Sequence, residues 1–286
     1  MSSPQHESVA TPAAAPAAAR TTILAGPRPD VHMRWDNLLF LHWPVRPAAI
    51  AAFLPPGVEV DTFAGDAFIA LVPFRMEATR FAGVPNLPGL SSFYECNVRT
   101  YVKVGPLKAV WFFSLDAQTL LPVLGGRWLW NLNYIHSTFN VRRTAERTDY
   151  TVHRDTGAWP LRSLASPGTA PGAAATPLAA APLAASTRIV WSPGQTLPAT
   201  QAGSLEHFLT ERYYLSTFRW GQVKVGRLHH RPWPLRSATV HSLQDGFIPA
   251  TGLPLGPILP ALHSDSIDVI GWKLTTPEAA VKQLEA

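Results

Sequence analysis

The stretch Phe93-Tyr94-Glu95-Cys96-Asn97-Val98-Arg99-Thr100-Tyr101-Val102 constrains this chain more than any other. On a strand, successive side chains point to opposite faces, so Glu95, Asn97, Arg99 and Tyr101 share one side, and Tyr94, Cys96, Val98, Thr100 and Val102 share the other. A sheet with a wet outer face and a dry inner one accounts for the pattern. So does a barrel whose interior holds a small polar pocket, because a carboxylate, a carboxamide, a guanidinium and a phenol then line it in succession.

Further strand candidates recur along the chain, some alternating and some continuously apolar. Leu38–Trp43, Ala67–Phe74, Ala109–Leu115, Asn133–Val141, Asp149–Arg154, Thr187–Trp191, Val223–His230, Ser237–Leu243 and Ile267–Leu274 all read as strands. Ala109–Leu115 is apolar on both faces, as a covered central strand is. Val58–Phe63 and Ala67–Phe74 flank Ala64-Gly65-Asp66, a turn of hairpin length. Helical signals are short: Pro47 opens one helix through Leu54, Asp116 is a candidate cap for another running toward Gly125-Gly126-Arg127, Ser204 caps a third and Thr276 a fourth. The 28 prolines in 286 residues would be hard to house in a helical bundle. The expected class is α+β, mainly antiparallel β, with a large sheet curling into a barrel or cone.

Residues 1–32, rich in Ala and Pro, are expected to be a disordered tail, and 33–276 a single domain. Residues 166–186, almost wholly Ala, Pro, Gly, Thr and Leu, read as a low-complexity surface insertion, and 277–286 as a C-terminal helix and tail. The net charge of +5 arises from scattered basic residues with no Lys/Arg run, which argues against nucleic acid as a partner. No apolar run reaches the length of a membrane span, and no leader pattern is present, so a cytoplasmic protein without membrane association is expected. Cys96 is the only cysteine, which removes intrachain disulfides and cysteine metal clusters.

Phosphate loops, dinucleotide fingerprints, zinc helices and nucleophile elbows are absent, and no cofactor or metal is implied. His229-His230 draws attention, but adjacent strand residues face opposite ways and cannot share a metal without a bulge; one of the two can line a pocket. His42 and His136 read as hydrogen-bonded core histidines. Glu206, Glu211 and Arg212 read as a solvated helix face, although Glu211 to Tyr214 lie near enough to its end to reach the sheet. Glu95 and Arg99 share a strand face, and if that face is inward neither charge survives unpaired. They then form a mutual salt bridge or await a ligand of complementary charge.

Several segments in one order resemble a known family. Phe40-Leu41-His42-Trp43-Pro44-Val45, Val72-Pro73-Phe74-Arg75-Met76, Asn97-Val98-Arg99-Thr100-Tyr101, Trp111 to Asp116, Gly203 to Tyr213 and His229-His230-Arg231-Pro232-Trp233-Pro234-Leu235 resemble the bacterial YqjF-like family of unknown function. That family is similar to the acetoacetate decarboxylase superfamily, which implies a double-layered β-cone or barrel around a buried cavity. Decarboxylases of that superfamily carry a Schiff-base lysine in a Pro-Lys-Lys motif after a Gly-Gly-Arg segment; here Asn133-Tyr134-Ile135 stands there, without a lysine. One pocket glutamate of the superfamily corresponds to Glu95. The resemblance thus implies a cavity without that reaction.

Three readings follow. In the first, an enzyme acts on a small oxo, enol or carboxylate compound, with Glu95 as general acid or base and Asn97, Arg99 and Tyr134 holding ligand oxygens. In the second, a non-catalytic sensor or carrier uses the same cavity, its wall completed by Arg75, Tyr101, Trp111, Phe113, Trp130 and His229. In the third, the polar face is exposed, the pocket is filled and the chain is an interaction scaffold. Ten tryptophans are compatible with a homo-oligomeric interface.

Overall fold

The computed structural model describes residues 28–83, 91–119, 131–154 and 185–284. The expected tail as far as residue 27, Trp130, the segment leading to Gly125-Gly126-Arg127 and the insertion as far as residue 184 lie outside this set. The described chain is built from twelve strands, β1 (Val31–Val45), β2 (Glu59–Val60), β3 (Ala67–Phe81), β4 (Phe93–Val104), β5 (Leu107–Ala117), β6 (Tyr134–Arg143), β7 (Thr148–Arg154), β8 (Ala185–Thr196), β9 (Tyr214–Arg219), β10 (Gln222–His230), β11 (Leu235–Asp245) and β12 (Leu262–Gly271). Three short helices accompany them: α1 (Pro47–Ala51), α2 (Leu205–Thr210) and α3 (Pro277–Lys282).

The strands extend beyond or stop short of the expected runs at their ends. β1 begins at Val31, inside the expected tail, and β12 starts and ends earlier than the Ile267–Leu274 run. The expected hairpin across Ala64-Gly65-Asp66 is only a Phe63–Asp66 bridge; Glu59 and Val60 pair instead with Lys103 and Val102 of β4. Asp116 caps no helix: it continues β5 and is fully buried. The other caps form as residue type dictates. Ser204 Oγ accepts from His207 N at 3.2 Å, and Thr276 Oγ1 from Ala279 N at 3.3 Å, each satisfying an otherwise orphaned donor of a helical first turn.

All pairings are antiparallel except β5 with β6 and β5 with β9. β5 gives one edge to β4 and divides the other, Ala109–Trp111 pairing with β9 and Leu115–Ala117 with β6. β12 does the same, giving one edge to β1 and sharing the other between β11 at Leu262–Ser264 and β10 at Val269–Gly271. The sheet therefore forks twice. One route runs β5-β9-β10-β12 and the other β5-β6-β7-β8-β11-β12, while β1, β3 and β4 form a wall common to both. This is a forked, double-layered sheet and not a simple closed barrel.

The common wall has two different faces. On one, Leu39, Leu41, Ile69, Leu71, Cys96 and Val98 pack against Tyr150, Val152, Ile189 and Trp191 from β7 and β8 as a solid core. On the other, Leu38, Phe40, Val72, Phe74 and Phe93 meet Trp233, Leu235 and Ile267 around open space. Both faces of β4 are covered, so the wet-outside account of its alternation does not hold: Glu95, Asn97, Arg99 and Tyr101 are buried, and so are Cys96, Val98, Thr100 and Val102.

Three irregularities decide which residues look into that space. Asn37 (φ 54°) sits in a register break between β1 and β3, so Met33 and Trp35 before it and Leu38 and Phe40 after it face the same side. Ala78 (φ 48°) does the same in β3, bringing Met76 and Thr79 to one side. In β5, Phe113 is the extra residue of a bulge between Ser114 and Phe112, which pair with Val98 and Arg99. An inserted residue reverses the alternation beyond it.

Candidate functional site: a charged floor in an apolar cavity

The open face of the wall bounds a cavity of about 620 Å³. It reaches the surface at exposed Ala82 and Lys273 and runs inward along β4, where Phe93, Glu95, Asn97 and Arg99 line it in turn. Most of the lining is apolar, from Met33, Trp35, Val72, Phe74, Phe112 and Trp233 among others.

Glu95 is 2% exposed. Tyr134, from the start of β6, donates its hydroxyl to Glu95 Oε2 at 3.1 Å. Burial pushes the Glu95 carboxyl up to about 7, against the pull of Tyr134 and Asn97, whose polar hydrogens favour the carboxylate; the nearby charge of Asp116 adds to the rise. The same burial, with Glu95 beside it, raises the Tyr134 phenol well above its ordinary value, so at neutral pH it is a hydrogen-bond donor. Glu95 is therefore a carboxyl able to hold or release a proton near neutrality, with an attendant phenol.

Arg99 is not its ion-pair partner. The two are four residues apart on β4, about 13 Å along the backbone, with Asn97 between them. Among the described residues Arg99 forms no ion pair; the buried pairs are Arg154–Asp116 and Arg212–Asp61, both at 2.6 Å. Arg99 lies over the rings of Phe40 (5.5 Å) and Tyr101 (5.8 Å), and its Nε makes no hydrogen bond.

Tyr101, the next residue on this face, is fully buried behind the lining, its hydroxyl 2.7 Å from His42 Nε2. Burial, and then the charge of Arg99, lower His42 to about 3, so it is a neutral core histidine. Arg75 lies elsewhere. On β3 it alternates with Phe74 and Met76, faces away from the cavity, pairs with Glu77 at 3.2 Å and covers the Tyr94 ring. Trp111 and Phe113 also leave the wall: Trp111 packs beside Val102 and Val104, and Phe113 enters the solid core edge-on to Phe53. The bulge at Phe113 puts Val110, Phe112 and Leu115 in the lining instead. Of the histidine pair, His230 lines the cavity and stacks on Tyr213 at 4.7 Å, whereas His229 faces the other way.

Residues from the end of α2 complete the floor. Glu211 and Arg212, expected on a solvated helix face, are both buried. Arg212 lines the cavity, donates to Asp61 Oδ2 at 2.6 Å and lies over Tyr101 at 4.9 Å; Glu211 accepts from Tyr213 and from the Trp233 backbone N–H. Arg212 and Asp61 are 151 positions apart. The sequence signal for Glu211 and Arg212 is the charged pair directly after α2, which the chain carries straight into the sheet.

No helix of the described chain is long and apolar enough to cross a membrane. The Uncharacterized protein YqjF of Bacillus subtilis strain 168 is 32% identical over 241 residues, covering 84% of this chain and 89% of that protein. Among solved structures, the enduracididine biosynthesis enzyme MppR complexed with pyruvate superposes with a TM-score of 0.55 at 14% identity, covering 89% of this chain and 92% of that one. An acetoacetate decarboxylase from Legionella pneumophila gives 0.55 at 13% identity, covering 89% and 93%. These two share the fold with this chain. With residues 32–268 matched by the model of DUF2071, described as an uncharacterized conserved protein, the chain belongs to the DUF2071 family on an acetoacetate decarboxylase-like fold.

Proposed function

We propose that this protein binds a small oxo, enol or carboxylate compound in the cavity and acts on it by proton transfer at Glu95. The observation that carries the reading is the Glu95–Tyr134 contact inside an apolar cavity, with the carboxyl poised near neutrality. A base buried this way, next to a ligand held in register, contributes roughly 10² to 10⁴ in rate. In keeping with this reading, the neighbour MppR was solved with pyruvate.

Schiff-base chemistry is not part of the proposal. Such an amine must be unprotonated in a desolvated pocket. The lysines here are Lys103, Lys108, Lys224, Lys273 and Lys282, and none is buried. Lys273 alone touches the cavity, at its rim, beside Asp30 at 3.4 Å and 84% exposed. Acetoacetate with borohydride should leave the protein mass unchanged; a trapped lysine adduct would overturn this part of the reading.

The direct test is a panel of enolisable ketones, oxo acids and carboxylates, followed for binding by thermal shift and for proton exchange by NMR. Any turnover found should fall at least about a hundredfold in Glu95→Gln. Undiminished turnover removes Glu95 from the chemistry. A carrier or sensor uses the same wall, and the predominance of apolar lining favours it; saturable binding with no exchange or product in the wild type selects that reading.

A further inference from the structure

The innermost part of the cavity has an unbalanced charge. Arg99 and Arg212, 8% and 5% exposed, both lie over the Tyr101 ring, at 5.8 and 4.9 Å, and among the described residues Asp61 is the one carboxylate paired with either. Guanidinium groups stay protonated in proteins, so this floor carries one net positive charge. Burial and the neighbouring Arg99 both work against the Arg212 cation, as expected of two like charges in one dry site. His42, the titratable neighbour from β1, is neutral. Arg99 Nε and Arg212 Nη2 are donors without a partner. Leaving a buried cation uncompensated is unfavourable, and a planar anion able to take two parallel N–H groups is its natural complement. One net charge matches a monoanion; a phosphate dianion would overshoot it.

The second observation is length. Glu95 is about 13 Å from Arg99 along β4. Between and beyond them the cavity wall is Trp35, Leu38, Val72, Phe74 and Phe93. An acid of two to four carbons seated on Arg99 would leave this apolar surface wet and would not reach Glu95.

Resting on the reading of the cavity as a small-molecule site, we infer that its ligand is an amphipathic monocarboxylate of medium chain length. The carboxylate sits between Arg99 and Arg212, and the apolar body runs outward past Glu95. A body of about ten carbons is what an extended alkyl chain needs to cover the roughly 13 Å that four strand residues span. Placed so, the carbon presented to Glu95 is remote from the carboxylate, and the enclosed end of the ligand is its charged one.

The test is calorimetric titration of the full chain with acetate, butanoate, hexanoate, octanoate and decanoate below their micellar range, with 1-octanol and octylamine as head-group controls. Affinity should rise about fourfold per methylene up to decanoate. Octanoate should bind at least about tenfold more tightly than 1-octanol, the margin expected for a charge-assisted contact. Arg99→Met should abolish that margin, and Arg99→Lys, which keeps a cation, should restore part of it. Affinity independent of chain length overturns the inference, as does octylamine or 1-octanol matching octanoate, or an unchanged margin in Arg99→Met. If short ketones or enols bind in a Glu95-dependent way while no alkanoate does, this inference falls and the proposed function stands. If neither class binds, both fall.

Discussion

The two faces of the β1-β3-β4 wall bury charge in opposite ways. On the solid face, Asp116 and Arg154 form a complete set: Arg154 Nε and Nη2 donate to the carboxylate at 2.9 and 2.6 Å, Ser137 donates to Asp116 Oδ1 at 2.7 Å, and Ser114 bridges both partners. Arg154 also lies over Phe247 at 4.4 Å. On the cavity face, the polar groups are incomplete, since Arg99 Nε, Arg212 Nη2, Asn97 Oδ1 and His42 Nδ1 have no partner. Buried polar groups are normally satisfied, so a saturated network reads as architecture and an unsaturated one as a place kept for something else.

This contrast has measurable consequences, the largest at the ion pairs. Arg154→Met leaves Asp116 buried and charged, and should lower unfolding stability in urea by about 3–5 kcal/mol at pH 7. Arg99→Met removes a cation that has no ion-pair partner among the described residues, and should leave stability within about 1 kcal/mol of wild type or raise it. Equal losses in the two variants would erase the distinction.

Next in size is the pH dependence carried by Glu95. Its folded-state value near 7 lies above its ordinary value of 4.5, so the folded chain binds the proton more tightly than the unfolded one. Its contribution is fully present below about pH 4.5 and is lost as pH rises through about 7, a loss of roughly 3 kcal/mol when complete. Glu95→Gln should therefore be more stable than wild type at pH 8.5 by up to about this amount, and indistinguishable from it at pH 4. Parallel pH profiles for the two proteins would show that the carboxyl is not buried as described.

The smallest effect concerns packing. Val98 and Val72 are both 1% exposed and sit on adjacent strands, Val98 in the solid core and Val72 on the cavity. Val98→Ala should lose about 2 kcal/mol, for the two missing carbons and the void they leave. Val72→Ala enlarges a space that already exists and should lose about half as much. Differential scanning calorimetry resolves the two.

Much of this was legible in the residues. The polar face of β4 was readable because a regular strand keeps strict parity, and Ser204 and Thr276 were readable as caps because their hydroxyls meet the donors of the turn that follows. Parity failed where the strands did. Trp111 and Phe113 were expected in the cavity wall, and one inserted residue in β5 turned both away from it and put Phe112 and Leu115 there. Nothing local announces that insertion: Phe113 is as good a strand former as its neighbours. Asp61 and Arg212 meet across 151 positions, and no local pattern relates them. Of the two alternatives for Glu95 and Arg99, a mutual salt bridge or a ligand of complementary charge, the salt bridge fails for a simpler reason, the distance between residues four apart on an extended chain.

Because β1, β3 and β4 bound two chambers at once, neighbouring residues on each strand serve different masters. Cys96 and Val98 belong to the packed layer, while Glu95, Asn97 and Arg99, interleaved with them, line the hollow. Remodelling the hollow for a new guest thus has to leave alternate positions untouched, and a change in the packed layer propagates into the shape of the hollow. Divergence in such a molecule should concentrate on the branch β5-β9-β10-β12, which borders the hollow without also bounding the packed chamber along most of its length.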